Sequence, residues 1–196
     1  MEPSLTVVFD LGEVLVPSTG VLPVLAAEIG VPEARLGPAY WTGRSDYDRG
    51  APTSTYWEGV LTAVGRGPDP ELVERLRDLD ADKWSVLPET GRELLDAAAA
   101  TGRRLGLLSN APAPLAAAVR SASWSSAVDV LVFSADLGLV KPEPEIYARA
   151  DAAYGTRPAD VVFFDDRAEN VAAARAHGWD AHLFTGPGSV LDVLGA

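Results

Sequence analysis

The chain has 196 residues, 47% of them hydrophobic, and its 28 acidic against 16 basic side chains give a formal charge of −12. That is apolar material for a sizeable buried core, and the acidic excess disfavours nucleic acid and anionic membranes as partners. The absence of cysteine excludes disulfides, thiolate metal sites and cysteine nucleophiles; with no basic-then-apolar leader and no apolar run near the roughly 20 residues that span a bilayer, a cytoplasmic protein is expected.

The first predicted element is "LTVVFDLGEVLV", Leu5 to Val16, a run of strand formers that ends on one carboxylate, Asp10, with Gly12 two residues later. From residue 17 to 87 the pattern turns helical. "GVLPVLAAEIG", "VPEARLGPAYWTG", "STYWEGVLTAVG" and "DPELVERLRDLDADKW" read as short amphipathic helices punctuated by Gly and Pro, with no strand among them. The stretch is expected to be a helical insertion, residues 17–87, between core segments 1–16 and 88–196, where it can cover one edge of a sheet. "LPETGRELLDAAAATG" leads back to that sheet. "RRLGLLSN" (Arg103–Asn110) is the second strand and closes on Ser109 and Asn110; "PAPLAAAVRSA" follows as a helix with proline suited to its first turn. "VDVLVFSADLG" (Val128–Gly138) reads as the third strand, and "PEPEIYARADAAYG" as a helix with acids at its start and glycine at its end. "DVVFFDDRAEN" is an apolar strand stopped by Asp165 and Asp166, "AENVAAARAHG" a helix, and "AHLFTG" a last short strand. Continuous rather than alternating hydrophobicity predicts strands buried on both faces, as in a parallel sheet. Strands alternating with helices predict right-handed βαβ units, and so an α/β, doubly wound, Rossmann-like core.

Ligands of such a sheet sit outside the C-terminal ends of its strands. The polar residues there are Asp10, Ser109, Asn110, Asp165 and Asp166, and Lys141 lies just past the third strand in "GLVKPEPEIY". If the tips converge, carboxylates share a small space, and two like charges 4 Å apart repel by about 4 kcal/mol at an effective dielectric of 20. A divalent cation relieves that repulsion, and an oxygen-only donor set favours Mg²⁺. Blander readings stand beside this one: Asp10 as a turn acid, Ser109 and Asn110 as a turn before Pro112, Lys141 as a solvated lysine, and Asp165 with Asp166 as a helix-capping pair.

"VVFDLGEVLV", "LLSN", "LVKPEPEIY" and "VFFDDRAENVAAARAHG" resemble, in order and spacing, the four motifs of the haloacid dehalogenase-like (HAD) hydrolases. The helical stretch resembles the C1-type cap inserted after the family's first motif. The resemblance implies that Asp10 is a nucleophile forming an aspartyl phosphate. Its second oxygen would hold Mg²⁺ together with the main-chain carbonyl of Gly12. Asp166 would be a direct metal ligand, and Asp165 a ligand or the holder of a metal-bound water. Ser109 and the backbone N–H of Asn110 would bind phosphoryl oxygens, and Lys141 would neutralise the transferring group. Asn170, four residues beyond Asp166, is placed either beside the metal ligands or on a helix surface. The expected substrate is a small phosphorylated metabolite, handled by a monomer or homodimer.

Gly12 departs from the pattern. Most phosphatases of this family have Asp two residues after the nucleophile, to protonate the leaving oxygen and activate water, a contribution worth about 10² to 10⁴ in rate. Branches with "DLGG"- or "DLGN"-like first motifs include sugar-phosphate phosphatases. Glu13 is the nearest acid in sequence, although alternation along an extended strand would turn it away from Asp10. The rival readings are a metal-free 2-haloacid dehalogenase using Asp10, since halide leaves without a proton, and a non-catalytic binding protein of the same fold. Tyr40, Trp41, Tyr47, Tyr56 and Trp57 are expected mainly to pack the insertion's helices, with one or two of them, and Arg44 or Arg49, at a pocket. His177 and His182 make no metal-ligand pattern and are expected to pack.

Overall fold

The computed structural model describes residues 5–195; residues 1–4 and 196, which the expected core segments include, lie outside the described residues. Strands β1 (Thr6–Phe9), β2 (Arg104–Ser109), β3 (Val130–Phe133), β4 (Val161–Asp165) and β5 (Asp180–Leu183) form one sheet in the order β3-β2-β1-β4-β5, and every pairing is parallel. All residues of β1 and β4 are buried, which is why these strands carry apolar side chains on both faces.

The chain moves outward from β1 to β2 and β3, then crosses back to lay β4 and β5 on the other side of β1. The strand order therefore reverses between β1 and β4, the place where open α/β sheets form ligand crevices. Phe9 of β1 stands opposite Phe164 of β4, and Asp10 N–H donates to the Phe164 carbonyl at 2.9 Å. Asp10 and Asp165 consequently leave the sheet side by side.

Between β1 and β2 the chain forms helices only: α1 (Val21–Ile29), α2 (Glu33–Trp41), α3 (Arg44–Asp48), α4 (Thr53–Ala63), α5 (Pro70–Ser85) and α6 (Glu89–Ala100). The sheet is completed by α7 (Ala113–Ser121), α8 (Ser134–Leu137), α9 (Pro144–Tyr154), α10 (Ala168–His177) and α11 (Pro187–Leu194). One apolar layer joins Ile146, Tyr147, Ala150 and Val171 to Val8, Leu108 and Phe163. The other joins Leu94 and Leu115 to Val7, Phe9 and Leu107, and continues unbroken into Leu25, Tyr40, Trp57, Leu76 and Trp84 of the helical segment. Each fully buried side chain of this size contributes about 1.5–3 kcal/mol, so apolar packing holds the segment on the core. Contact is also made through backbone: a Cβ on Gly91 would lie 2.3 Å from the Leu15 carbonyl oxygen, so α6 presses directly on the turn after β1.

Two local features depart from the sequence reading. "RSDYD", assigned to no element there, forms α3, which starts after Gly43 at φ 74. "SADL", expected at the end of a strand, is the helical turn α8, stopped by Gly138 at φ 67.

Candidate active site

The strand tips converge on one cavity of about 760 Å³, lined on the core side by Asp10, Gly12, Ser109, Asn110, Lys141 and Asp166. One carboxylate oxygen from each of Asp10, Asp165 and Asp166 lies within 4.8 Å of the others. Burial pushes the Asp10 carboxyl up from 3.8 to about 7; Lys141 works against the rise and Asp165 adds to it. Burial, then the Asp165 charge, also raises the Asp166 carboxyl.

Lys141 is the counter-charge. Its Nζ donates to Asp165 Oδ2 at 2.7 Å and to the Leu108 carbonyl at 2.9 Å, and lies 2.9 Å from Asp10 Oδ1. All three N–H donors are thereby used. Burial opposes its charge, but Asp10 and Asp165 outweigh burial and raise its pKa. Asn110 fixes the lysine's backbone with a reciprocal pair: Lys141 N–H donates to Asn110 Oδ1 at 2.8 Å, and Asn110 Nδ2 donates to the Lys141 carbonyl at 3.0 Å. This positioning contact is invisible in sequence because 31 residues separate the partners. Ser109 lines the same cavity and its side chain makes no hydrogen bond among the described residues.

Asp165 and Asp166, adjacent in sequence, have different surroundings. Asp165 is wholly buried and accepts from Lys141, from Asn170 Nδ2 at 2.9 and 3.1 Å, and from Arg167 N–H at 2.8 Å. Asp166 is half-buried, and no side-chain hydrogen bond involves it among the described residues. Asn170 sits inside the site rather than on the helix surface: it is 1% exposed, and its Oδ1 is a buried acceptor with no partner among the described residues. Three carboxylates against one lysine, an unsatisfied amide oxygen and an oxygen-only donor set fit a hard divalent cation.

At Gly12 neither backbone group is hydrogen-bonded among the described residues, so its carbonyl remains available as a ligand. A Cβ there would meet the Trp84 ring at 3.4 Å, so an indole from α5 borders the space that a residue-12 side chain would enter. Glu13 was expected to face away by strand alternation, and the structure corrects this. β1 ends at Phe9, Glu13 adopts φ 57, and its side chain reaches the cavity, with Oε1 accepting from Ser18 N–H at 3.0 Å.

The opposite wall comes from the helical segment, where Trp41, Arg44, Asp48, Arg49 and Trp84 line the cavity. Of the aromatics, Tyr40, Tyr47, Tyr56 and Trp57 are buried and Trp41 is half exposed at the pocket. Arg44 donates through Nε to Asp48 Oδ1 at 2.8 Å and through Nη1 to Asp80 Oδ2 at 3.3 Å and to the Tyr40 hydroxyl. Tyr40 in turn donates to Asp80 and accepts from Trp84 Nε1 at 2.9 Å. Arg44 is a candidate from sequence alone; Asp48, Asp80 and Trp84 are added by the structure. An Arg–Asp pair four residues apart is the sequence signal for Asp48, whereas Asp80 and Trp84 meet Arg44 and Tyr40 only through the packing of α5. At the rim, Arg49 donates to Glu143 at 2.8 Å and to the Gly138 carbonyl at 3.3 Å, tying α3 to the loop that carries Lys141. The histidines stand apart from the cavity lining: His177 pairs with Asp151 at 2.6 Å and His182 with Asp180 at 2.9 Å.

The sequence matches the family description "haloacid dehalogenase-like hydrolase" over residues 5–178. It is 32% identical over 128 residues to a Mycobacterium tuberculosis protein named as a phosphatase, a match covering 62% of this chain and 59% of that protein. The chain thus spans less than two thirds of that relative's length. Among solved structures it is similar to a HAD family enzyme of Bacteroides thetaiotaomicron, an alanine variant in complex with magnesium and inorganic phosphate (TM-score 0.70, 17% identity, 93% of this chain and 95% of that one). It is also similar to L-2-haloacid dehalogenase from Xanthobacter autotrophicus with chloropropionic acid covalently bound (TM-score 0.76, 18% identity, 91% and 76%). At these identities the structural likenesses concern the fold.

Proposed function

The chain belongs to the haloacid dehalogenase-like hydrolase family, and within it we propose a magnesium-dependent phosphatase that acts on a small phosphorylated metabolite, with Asp10 as nucleophile. One observation carries the choice of phosphate over halide: three carboxylates converge within 4.8 Å against a single lysine. A dehalogenation site has no need of that excess of negative charge, whereas a phosphatase site uses it to hold a cation. Mg²⁺ held by Asp10, Asp166 and the Gly12 carbonyl, with Asp165 beside it, would neutralise charge on the phosphoryl oxygens.

The remaining work falls to the chain's own residues. Leu11 N–H at 2.7 Å and Lys141 fix the Asp10 carboxylate through Oδ1, and that carboxylate attacks phosphorus. Lys141 offsets the developing negative charge, and Asp165 with Asn110 keeps that lysine in place. Ser109 and the Asn110 N–H bind phosphoryl oxygens. The ester bond breaks as the Asp10–phosphorus bond forms, and water then releases phosphate from Asp10. The helical segment, residues 17–87, acts as a cap that shields the cavity from bulk water. The proposal includes action in the cytoplasm as a monomer or homodimer, without nucleic-acid or membrane partners; among the described residues no helix is long and apolar enough to cross a membrane.

Phosphate release from para-nitrophenyl phosphate should require Mg²⁺ and stop with EDTA, and Asp10→Asn should lower kcat by about 10³-fold or more. Halide release from 2-chloropropionate in EDTA, with no phosphate release in Mg²⁺, would overturn the proposal in favour of the dehalogenase.

A further inference from the structure

Building on the phosphatase reading, we infer that Asp48 of α3 is the catalytic acid that protonates the leaving oxygen, entering the site from the helical segment in place of a side chain at position 12. The need for such a group is chemical: an alkoxide or phenoxide expelled from phosphorus needs a proton. Lys141 is fully engaged by Asp10, Asp165 and Leu108, and Gly12 has no side chain to offer.

Three observations place Asp48 at the site. Its side chain keeps 11% exposure and lines the same cavity as Asp10. Arg44 Nε holds its Oδ1, while no donor among the described residues meets Oδ2, which is left for a ligand. Its backbone is tied to the core: the Ser134 hydroxyl donates to the Asp48 carbonyl and accepts from Ala111 N–H at 2.8 Å, on the loop that follows Ser109 and Asn110. The Lys141 charge, centred 2.9 Å from Asp10, is close enough to act on Asp48. Arg44 contacts the Asp48 carboxyl directly, and the charges of Asp80 and Lys141 lie near enough to act on it. Burial raises its pKa from 3.8 to about 6, with Arg44 and Lys141 restraining the rise and Asp80 adding to it. A carboxyl poised there holds a proton in a useful fraction of molecules near neutral pH.

The step balances simply. As the Asp10 carboxylate bonds to phosphorus, the phosphorus–oxygen ester bond breaks. Its electron pair takes the proton from the Asp48 carboxyl, leaving an alcohol or phenol and an Asp48 carboxylate, which regains a proton from the water whose oxygen then bonds to phosphorus as the Asp10–phosphorus bond breaks. Glu13 is the rival donor, since it also reaches the cavity.

Two esters of matched shape, phenyl phosphate and para-nitrophenyl phosphate, separate the possibilities, because the nitrophenolate leaves without help. With saturating Mg²⁺, Asp48→Asn should lower kcat/KM for phenyl phosphate by about 10²-fold and for the nitrophenyl ester by less than about 5-fold. Asp80→Asn, which removes a negative charge that helps keep Asp48 protonated, should move the ratio against phenyl phosphate in the same direction as a rise in pH, and by less than Asp48→Asn. In the unmodified enzyme the ratio itself should move against phenyl phosphate as pH rises through about 6, a readout that survives if the Asn variant fails to fold. Equal losses on both esters, a ratio flat across pH, or a selective loss in Glu13→Gln instead would overturn the assignment. Failure of the unmodified enzyme on both esters would instead strike the phosphatase reading on which it rests.

Discussion

Two buried charge clusters face one another across the cavity. At the strand tips, Asp10, Asp165 and Asp166 surround Lys141; in the helical segment, Asp48 and Asp80 surround Arg44. The first cluster is anchored by a sheet whose parallel ladder fixes each tip to its neighbour, and it retains more negative charge than its lysine cancels. The second is nearly self-contained: Arg44, the Tyr40 hydroxyl and Trp84 Nε1 consume most of its hydrogen-bonding capacity, leaving one Asp48 oxygen for the cavity. Surplus charge at the tips suits holding a cation and an anionic ester. A hydrogen-bonded cluster with one free oxygen suits handling a proton or reading a leaving group.

That contrast can be broken from either side. The largest effect should come from Lys141→Ala, which leaves two buried carboxylates without their cation and should cost about 3–5 kcal/mol in urea denaturation without metal. Adding Mg²⁺ should recover part of the loss; no loss at all would mean the tip cluster is not held by its lysine.

On the facing side, the fold favours the neutral form of Asp48, whose pKa is raised from 3.8 to about 6. Its share of stability is therefore complete below pH 4 and declines as pH climbs through 6. Comparing the unmodified chain with Asp48→Asn, the difference should shift against the unmodified chain by roughly 3 kcal/mol between pH 4 and pH 7. A pH-independent difference would show that Asp48 titrates normally. The smallest effect belongs to the rim. Arg49 and Glu143 are each more than a third exposed, so Arg49→Ala should change stability by less than about 1 kcal/mol. A larger change in thermal midpoint would show that this pair, rather than apolar packing, fastens α3 to the core.

Legibility followed the same divide. Asp10, Ser109, Asn110, Asp165 and Asp166 could be picked from sequence because an apolar strand ending abruptly on a polar residue marks a tip, and an α/β sheet gathers its tips at one edge. The separate work of neighbours could not. Asp165 as a buried partner of Lys141, Asn110 as the clamp on that lysine's backbone, and Asn170 inside the site all depend on contacts between residues 5 to 31 positions apart. Glu13 escapes strand alternation because β1 ends at Phe9 and Glu13 itself lies in the left-handed region.

Periodicity and strand-end chemistry, which are local properties, determined by themselves that this chain builds a parallel α/β core with helices inserted after its first strand and acids at its tips. Only the tertiary structure decided that α3 packs its arginine between two aspartates and presents one of them to the cavity that Asp10 also lines. Short helices in such a segment are oriented by burial against distant partners, and burial has no signature in five consecutive residues.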